Sequence, residues 1–309
     1  MRIATVGVHV LDTHVLTIES IPDGSEGALV DTIRMSAAGT AGGTALVLAR
    51  LGASVSSHGA IGTDPIGDTL LALLGKEGVD TTGLMRKAAH QTSSSVIPVR
   101  PNGDRPAWHC IGANGSFTLD DLDLRALEGI THLHLGGPEF LGGDAAAELL
   151  KHAQGIGATT SLDLLAPGDP GMLEWIEACL PFADYLLPND EQVLGFTGAA
   201  DLADGARALV AKGVGCVAVT AGSRGALVVT ATAEDLVPAY AVDVVDTTGC
   251  GDAFSAGFLR GLSLDLDLAD AAALGCATAA QVAQGIGTDH GHYDLDSVRD
   301  FVATATVKE

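Results

Sequence analysis

The residues best suited to chemistry lie in one run, Val244-Val245-Asp246-Thr247-Thr248-Gly249-Cys250-Gly251-Asp252-Ala253-Phe254-Ser255-Ala256-Gly257-Phe258. A strand end gives way to small residues and then to a helix. Gly249 and Gly251 let the backbone approach a ligand closely. The first turn of a helix leaves amides unpaired, and the aligned peptide dipoles place roughly half a positive charge there. That combination suits a phosphoryl group. Asp252 stands in the same turn. An isolated Asp there would simply stabilise the helix end, but the small residues before it and Asp246 on the strand end favour a working group. A carboxylate beside an anion hole can accept a hydroxyl proton while the hole carries charge on a transferred phosphate. A general base contributes typically ~10²–10⁴ in rate, and a donor in the hole ~10²–10³. The thiol of Cys250, at a helix N-terminus, is expected to have a lowered pKa, so that alkylating it would block phosphate binding.

These groups need a rigid sheet to hold them. Short apolar runs alternate with helical patterns along the 309 residues, which indicates a largely parallel sheet with helices on its faces. Strands are predicted at 3–8, 54–60, 132–135, 159–164, 185–187, 214–220 and 226–230. Helices are predicted at 40–51, 66–76, 144–154, 202–212, 251–262, 267–283 and 295–304. Asp64 and Pro65 read as the cap and first position of the second helix. Residues 14–20 and 28–34 look like paired strands around PDGSEG. Residues 93–100 and 106–111 look like a second hairpin around Pro101-Asn102-Gly103-Asp104. The fold expected is one α/β domain over 1–309, a three-layer α/β/α sandwich. A small β-sheet over about 13–36 and 92–112 would project from it as a lid or an oligomer contact.

The run DTTGCGDAFSAGF resembles the second signature, D-T-x-G-A-G-D, of the PfkB/ribokinase carbohydrate kinases, with Cys250 in place of Ala. That resemblance implies a ribokinase-like fold, Asp252 as catalytic base, and an anion hole from the amides of Gly249, Cys250, Gly251 and Asp252. It puts Asp246 and Thr248 near a monovalent-cation site, so K⁺ joins ATP and Mg²⁺ among the implied cofactors. Val219-Thr220-Ala221-Gly222-Ser223-Arg224-Gly225 resembles the family's nucleotide loop, which brings Thr220, Gly222, Ser223 and Gly225 to ATP. Counting back from Leu51-Gly52, Ala38-Gly39 matches the family's Gly-Gly, so Gly39, Thr40 and Gly43 would face the sugar. Asp12 resembles the Asp that binds substrate hydroxyls.

Some positions depart from the pattern. Pro188-Asn189-Asp190-Glu191-Gln192 resembles N-x-x-E, which helps place the Mg²⁺ water shell; Asn189 matches, but Gln192 stands for Glu. Glu191 is one residue early, about 100° round a helix. Ile111-Gly112-Ala113-Asn114 resembles a stretch of ribokinases. Val10, Thr40 and Gly136 stand where ribokinases carry a sugar-binding Asn, a Lys and a sugar-binding Glu. These losses argue against D-ribose and leave another sugar, such as a ketohexose or a sugar acid.

Composition narrows the classes further. Sixteen basic residues against 39 acidic ones, a net charge of −23, exclude a phosphate-backbone binder of nucleic acid. Hydrophobic residues at 47% make extended disorder untenable. Cysteines 110, 179, 216, 250 and 276 form no CxxC and suggest a reducing, cytoplasmic setting. The N-terminus reads as a strand rather than a leader, and the Ala-rich stretch near 268–288 as a buried helix rather than a membrane span. His132 and His134 share a strand face without a third ligand and read as structural. No G-x-G-x-x-G follows the first strand, and no Walker-type loop is present. The reaction expected from the family resemblance is transfer of the γ-phosphate of ATP to a primary hydroxyl of a sugar or sugar-like molecule, and the same resemblance implies a homodimer joined through the lid. A nucleoside kinase, or a non-catalytic sugar- or nucleotide-binding protein, are the alternatives on the same fold.

Overall fold

The first strand, β1 (Arg2–Gly7), is buried from Ile3 onward, so it can only run mid-sheet. The structure, a computed structural model, describes residues 2–101 and 105–308. The further strands are β2 (Val10–Leu16), β3 (Thr32–Ala38), β4 (Ser54–Ile61), β5 (Asp80–Arg86), β6 (Ser94–Val99), β7 (Trp108–Cys110), β8 (His132–Gly136), β9 (Thr159–Asp163), β10 (Tyr185–Leu186), β11 (Cys216–Thr220), β12 (Ala226–Thr230) and β13 (Glu234–Val237). The helices are α1 (Gly42–Arg50), α2 (Pro65–Lys76), α3 (Pro138–Leu141), α4 (Gly143–Gly155), α5 (Pro170–Ile176), α6 (Asp190–Thr197), α7 (Leu202–Ala211), α8 (Cys250–Leu262), α9 (Leu268–Ala283) and α10 (Leu295–Thr304). Asp64 caps α2 as expected, accepting from the Gly67 amide at 2.9 Å, with Pro65 leading the helix.

The large sheet runs β13-β12-β11-β10-β9-β8-β1-β4-β5. It is parallel from β11 to β5, with β12 and β13 antiparallel at one edge. Successive side chains feed two separate cores. On β11, Cys216 and Ala218 join the core that holds α1, α8 and α9. Val217 and Val219 join the one that holds α4, α6 and α7. This period of two with both faces covered makes the three-layer sandwich. Helix α8 is held hard against α9. A Cβ at Gly257 would come 2.8 Å from the Gly275 Cα, and one at Gly261 2.7 Å from the Ala271 Cα. Phe254 and Phe258 stack 6.0 Å apart in that core, each side chain's burial contributing roughly 1.5–3 kcal/mol. The start of α8 is therefore fixed by packing below it. The Ala-rich stretch is the core helix α9, and no helix among the described residues is long and apolar enough to cross a membrane.

Four strands form a second sheet in the order β3-β2-β6-β7. Both predicted strand pairs are present, antiparallel, and joined through the parallel pair β2–β6. The first pair is shifted from its predicted bounds: β2 starts at Val10 and β3 ends at Ala38. Val10, Leu11, Ala37 and Ala38 are buried, and β1 runs into β2 with only Val8 and His9 between. Asp12 therefore sits within β2. Of the expected turn Pro101-Asn102-Gly103-Asp104, residues 102–104 lie outside the described residues. One face of this sheet is polar and buried, with Asp12, His14, Ser36 and Ser95. The other exposes Ile33, Met35, Val96 and Trp108.

Candidate active site

The turn before α8 is built by Asp246. Its Oδ1 accepts from the Thr248 amide at 2.9 Å and the Thr248 hydroxyl at 2.8 Å. Gly249 follows at φ +79°, and a Cβ there would overlap Thr288, so only glycine fits. No side chain caps α8. The Cys250 amide turns back to the Thr247 carbonyl at 3.2 Å. That leaves the amides of Gly249, Gly251 and Asp252 without an acceptor among the described residues. Three free donors at the positive end of a 13-residue helix can hold an anion. The Cys250 thiol contradicts its expected behaviour. Burial pushes it up to about 12, and its Sγ faces the Ala279 carbonyl at 3.6 Å rather than the free amides. Packing against α9 outweighs the helix dipole there.

A cavity of about 360 Å³ opens beside this helix start, within the range of small-molecule sites. Thr220, Gly222, Ser223 and Gly225 line it from one side, Thr247, Cys250 and Gly251 from the other. Between them lie apolar side chains, including Val242, Val244 and Phe254. Gly222 (φ +55°) and Gly251 each have open space where a Cβ would be, so a ligand can approach both backbones. Gly225 serves the packing instead. A Cβ there would overlap the Val237 carbonyl, so glycine lets the turn lie against β13.

Beyond the amides, on the side of α1, three carboxyls gather. A Cβ at Gly43 would overlap the Asp252 carboxylate, so glycine at that position clears its space. Burial, with Asp163 and Asp12 as negative neighbours, holds the Asp252 carboxyl well above the usual carboxylate range. Asp163, at the carboxyl end of β9, accepts from the Ser255 hydroxyl at 2.9 Å. Burial pushes it up to about 7, against that hydrogen bond and helped by Glu139. Asp12 is pushed up to about 6 by burial, against a Ser95 hydrogen bond and helped by Asp246. The Thr40 hydroxyl is buried with no partner among the described residues. Gly39 (φ +92°) brings its loop against the Val8 carbonyl, and a Cβ at Gly136 would come 2.5 Å from the Ala41 nitrogen. No side chain of any kind fits at 136. Asp163 is the site residue that sequence reasoning missed; its signal was a carboxylate at a strand end and a serine one helical turn after Asp252.

Asn189 and Gln192 are brought together, but around each other. Asn189 Oδ1 accepts from the Gln192 amide at 2.8 Å, and Gln192 Oε1 from the Asn189 amide at 2.9 Å, a reciprocal cap on α6. Both protons of the Gln192 amide group go to the Leu164 and Ala166 carbonyls at 3.0 Å. Among the described residues no group of three His, Cys, Asp or Glu is arranged to hold a metal ion. Asp246 and Thr248 face an arginine instead: Arg105 Nη1 donates to Asp246 Oδ1 at 3.1 Å and to Thr248 Oγ1 at 2.6 Å. His132 and His134 both meet the Ser161 hydroxyl at 2.8 Å, and burial lowers them to about 3 and about 4.

The family model for pfkB family carbohydrate kinases matches residues 7–293. An ATP-dependent ribose-1-phosphate kinase of Halopiger xanaduensis is 31% identical over 87% of this chain and 87% of its own length. A deoxyribokinase of Salmonella typhi is 27% identical over 98% of this chain and 99% of its own. Among solved structures, a candidate ribokinase II of E. coli in complex with ATP and Mg²⁺ superposes with a TM-score of 0.84 at 22% identity. It covers 98% of this chain and 99% of that one. At that identity the likeness concerns the fold.

Proposed function

The chain belongs to the pfkB family of carbohydrate kinases, and from that membership we propose that it moves the γ-phosphoryl group of ATP to a primary hydroxyl of an uncharged sugar or sugar-like molecule. Enzymes of this family are ATP-dependent phosphotransferases acting on sugar-like alcohols. The observation that carries the finer reading is the juxtaposition at the start of α8. Gly251, one of the three residues with a free amide, lines a cavity of small-molecule size, and the Asp252 carboxyl emerges from the same turn into the space cleared by Gly43. The base of ATP lies among the apolar residues of the cavity, with Thr220, Gly222 and Ser223 along it. The phosphates point to Gly249, Gly251 and Asp252. The acceptor lies between Asp252, Asp12 and the unpartnered Thr40 hydroxyl. Asp252 takes the hydroxyl proton, and the amides carry charge on the phosphoryl group in flight. Positioning and charge stabilisation are what phosphoryl transfer needs. Mg²⁺ enters as the counter-ion that ATP brings.

The acceptor is uncharged in this reading because the charges acting on Asp252 are the negative Asp163 and Asp12. Arg34 on β3 and Arg105, just before β7, already pair with Asp289 and Asp246. A phosphorylated or acidic sugar would add like charge to three carboxyls. The second sheet serves as the lid of the same catalytic unit, keeping water from the phosphoryl group. Its exposed apolar face pairs with a second copy of the chain. The five free cysteines suit the reducing cytoplasm.

The test is ADP release with MgATP against neutral pentoses, deoxypentoses, ketohexoses, nucleosides and ribose 1-phosphate. Turnover is expected with a neutral sugar. Asp252→Asn should lower kcat by ~10²–10⁴, with ATP affinity by calorimetry nearly unchanged. Undiminished turnover in that variant removes Asp252 as the base. Ribose 1-phosphate as the preferred acceptor overturns the uncharged class and leaves the kinase intact.

A further inference from the structure

The Asp246 carboxylate is only 4% exposed and builds the turn that aims the free amides. A buried carboxylate without a countercharge is strongly unfavourable. Its neighbour His14, with Nδ1 3.8 Å from Oδ2, cannot supply one while neutral, and burial lowers its pKa. The charge comes from Arg105, which lies three residues before β7 of the second sheet and reaches across to the turn before α8. Its Nη1 bridges Asp246 Oδ1 and Thr248 Oγ1, on the two residues that the family resemblance puts near a monovalent-cation site. An ion bridging those two oxygens would collide with that nitrogen; the carboxylate's other oxygen, Oδ2, is buried without a partner among the described residues.

We infer that Arg105 is a tethered cation. Its guanidinium replaces the monovalent ion, pairs with the Asp246 carboxylate and fixes its place, and so positions the anion hole from the second sheet. Arg105 is a positioning residue; it acts through Asp246 and touches no reacting atom. This inference rests on the kinase reading for its effect on turnover, but not for its effect on the turn itself. The chemistry needs no added K⁺, because the ion is part of the chain. The contact also ties the second sheet to the helix that carries Asp252.

The experiment compares wild type, Arg105→Ala and Arg105→Lys in KCl against choline chloride at constant ionic strength. Wild-type turnover should be the same in both salts. Arg105→Ala should lose about tenfold to hundredfold in kcat with little change in acceptor KM, and K⁺ or methylguanidinium should restore most of the loss. Arg105→Lys, which keeps the charge, should fall between. Clear activation of the wild type by K⁺, an unimpaired Arg105→Ala, or a loss that no cation restores each overturns the inference. Melting temperatures in the two salts give a reading that needs no turnover: K⁺ should raise that of Arg105→Ala and leave the wild type unmoved. If the wild type releases no ADP with any acceptor, the kinase reading fails, and the melting comparison still decides the role of Arg105.

Discussion

Asp163 and Asp12 both make the buried Asp252 carboxyl harder to ionise. A base works only when ionised, so turnover should fall on the acid side at a pH above the usual carboxylate range. Asp163→Asn removes a negative neighbour of Asp252 and lowers the pKa of Asp252. The acid limb of kcat/KM should then move down by about half to one pH unit. A limb that stays in place, or moves up, shows that Asp163 does not act on the base. Asp252 was legible in the sequence because glycines and a helix start stand around it within a few residues. Asp163 was not, because an aspartate at a strand end usually closes a turn. What sets it apart is Ser255, 92 positions away. Arg105 was invisible for the same reason, meeting Asp246 across 141 positions. Cys250 was misread because the dipole of α8 is local while the burial against α9 is tertiary.

At the scale of elements, the central strands and the long helices were readable from apolar period alone. The strands missed, β5 and β13, are edges: Leu84 alone is buried in one and Val237 alone in the other, so neither makes an apolar run. The helices missed, α3, α5 and α6, are short and begin at Pro138, Pro170 and Asp190, where turn chemistry dominates the local pattern. The second sheet was legible as two strand pairs but not in register, which the burial of Val10 and Ala38 decides. Its faces are inverted for a surface element, polar inside and apolar outside. Met35, Thr13, Val96 and Trp108 form one row across its outer side, with Trp108 57% exposed. Contiguous exposed apolar area of this kind marks a contact surface. Val96→Lys with Trp108→Glu should convert a dimer to a monomer in light scattering, with the protomer's fold kept because both side chains already face outward. A wild type that is monomeric at micromolar concentration refutes the pairing.

For the molecule as a whole, acid stability is a contest between two sets of buried groups. His9, His132 and His134 are held neutral, lowered to about 4, 3 and 4 by burial. The unfolded chain takes up their protons as pH falls below 6.5, so these groups withdraw stability from there down to about pH 4. Asp163 and Asp12 run the other way. Their folded pKa values lie above the unfolded one, so the native state gains protons first and is favoured as pH falls. The two sets oppose each other between about pH 7 and pH 4. His132→Gln removes one member of the first set. Relative to wild type, it should gain about 1–2 kcal/mol in urea unfolding when the pH goes from 7 to 5. A difference that does not vary with pH means His132 is charged in the native protein. A last consequence follows from the crowding at Gly136, where three stretches of main chain touch. If the acceptor lies where proposed, its bed is peptide rather than side chain, and no codon change at 136 can restore the carboxylate that ribokinases carry there. Retrofitting this enzyme for a new alcohol would have to work from above, by exchanging residues such as Asp12 and Ser95 or grafting the four roof strands whole.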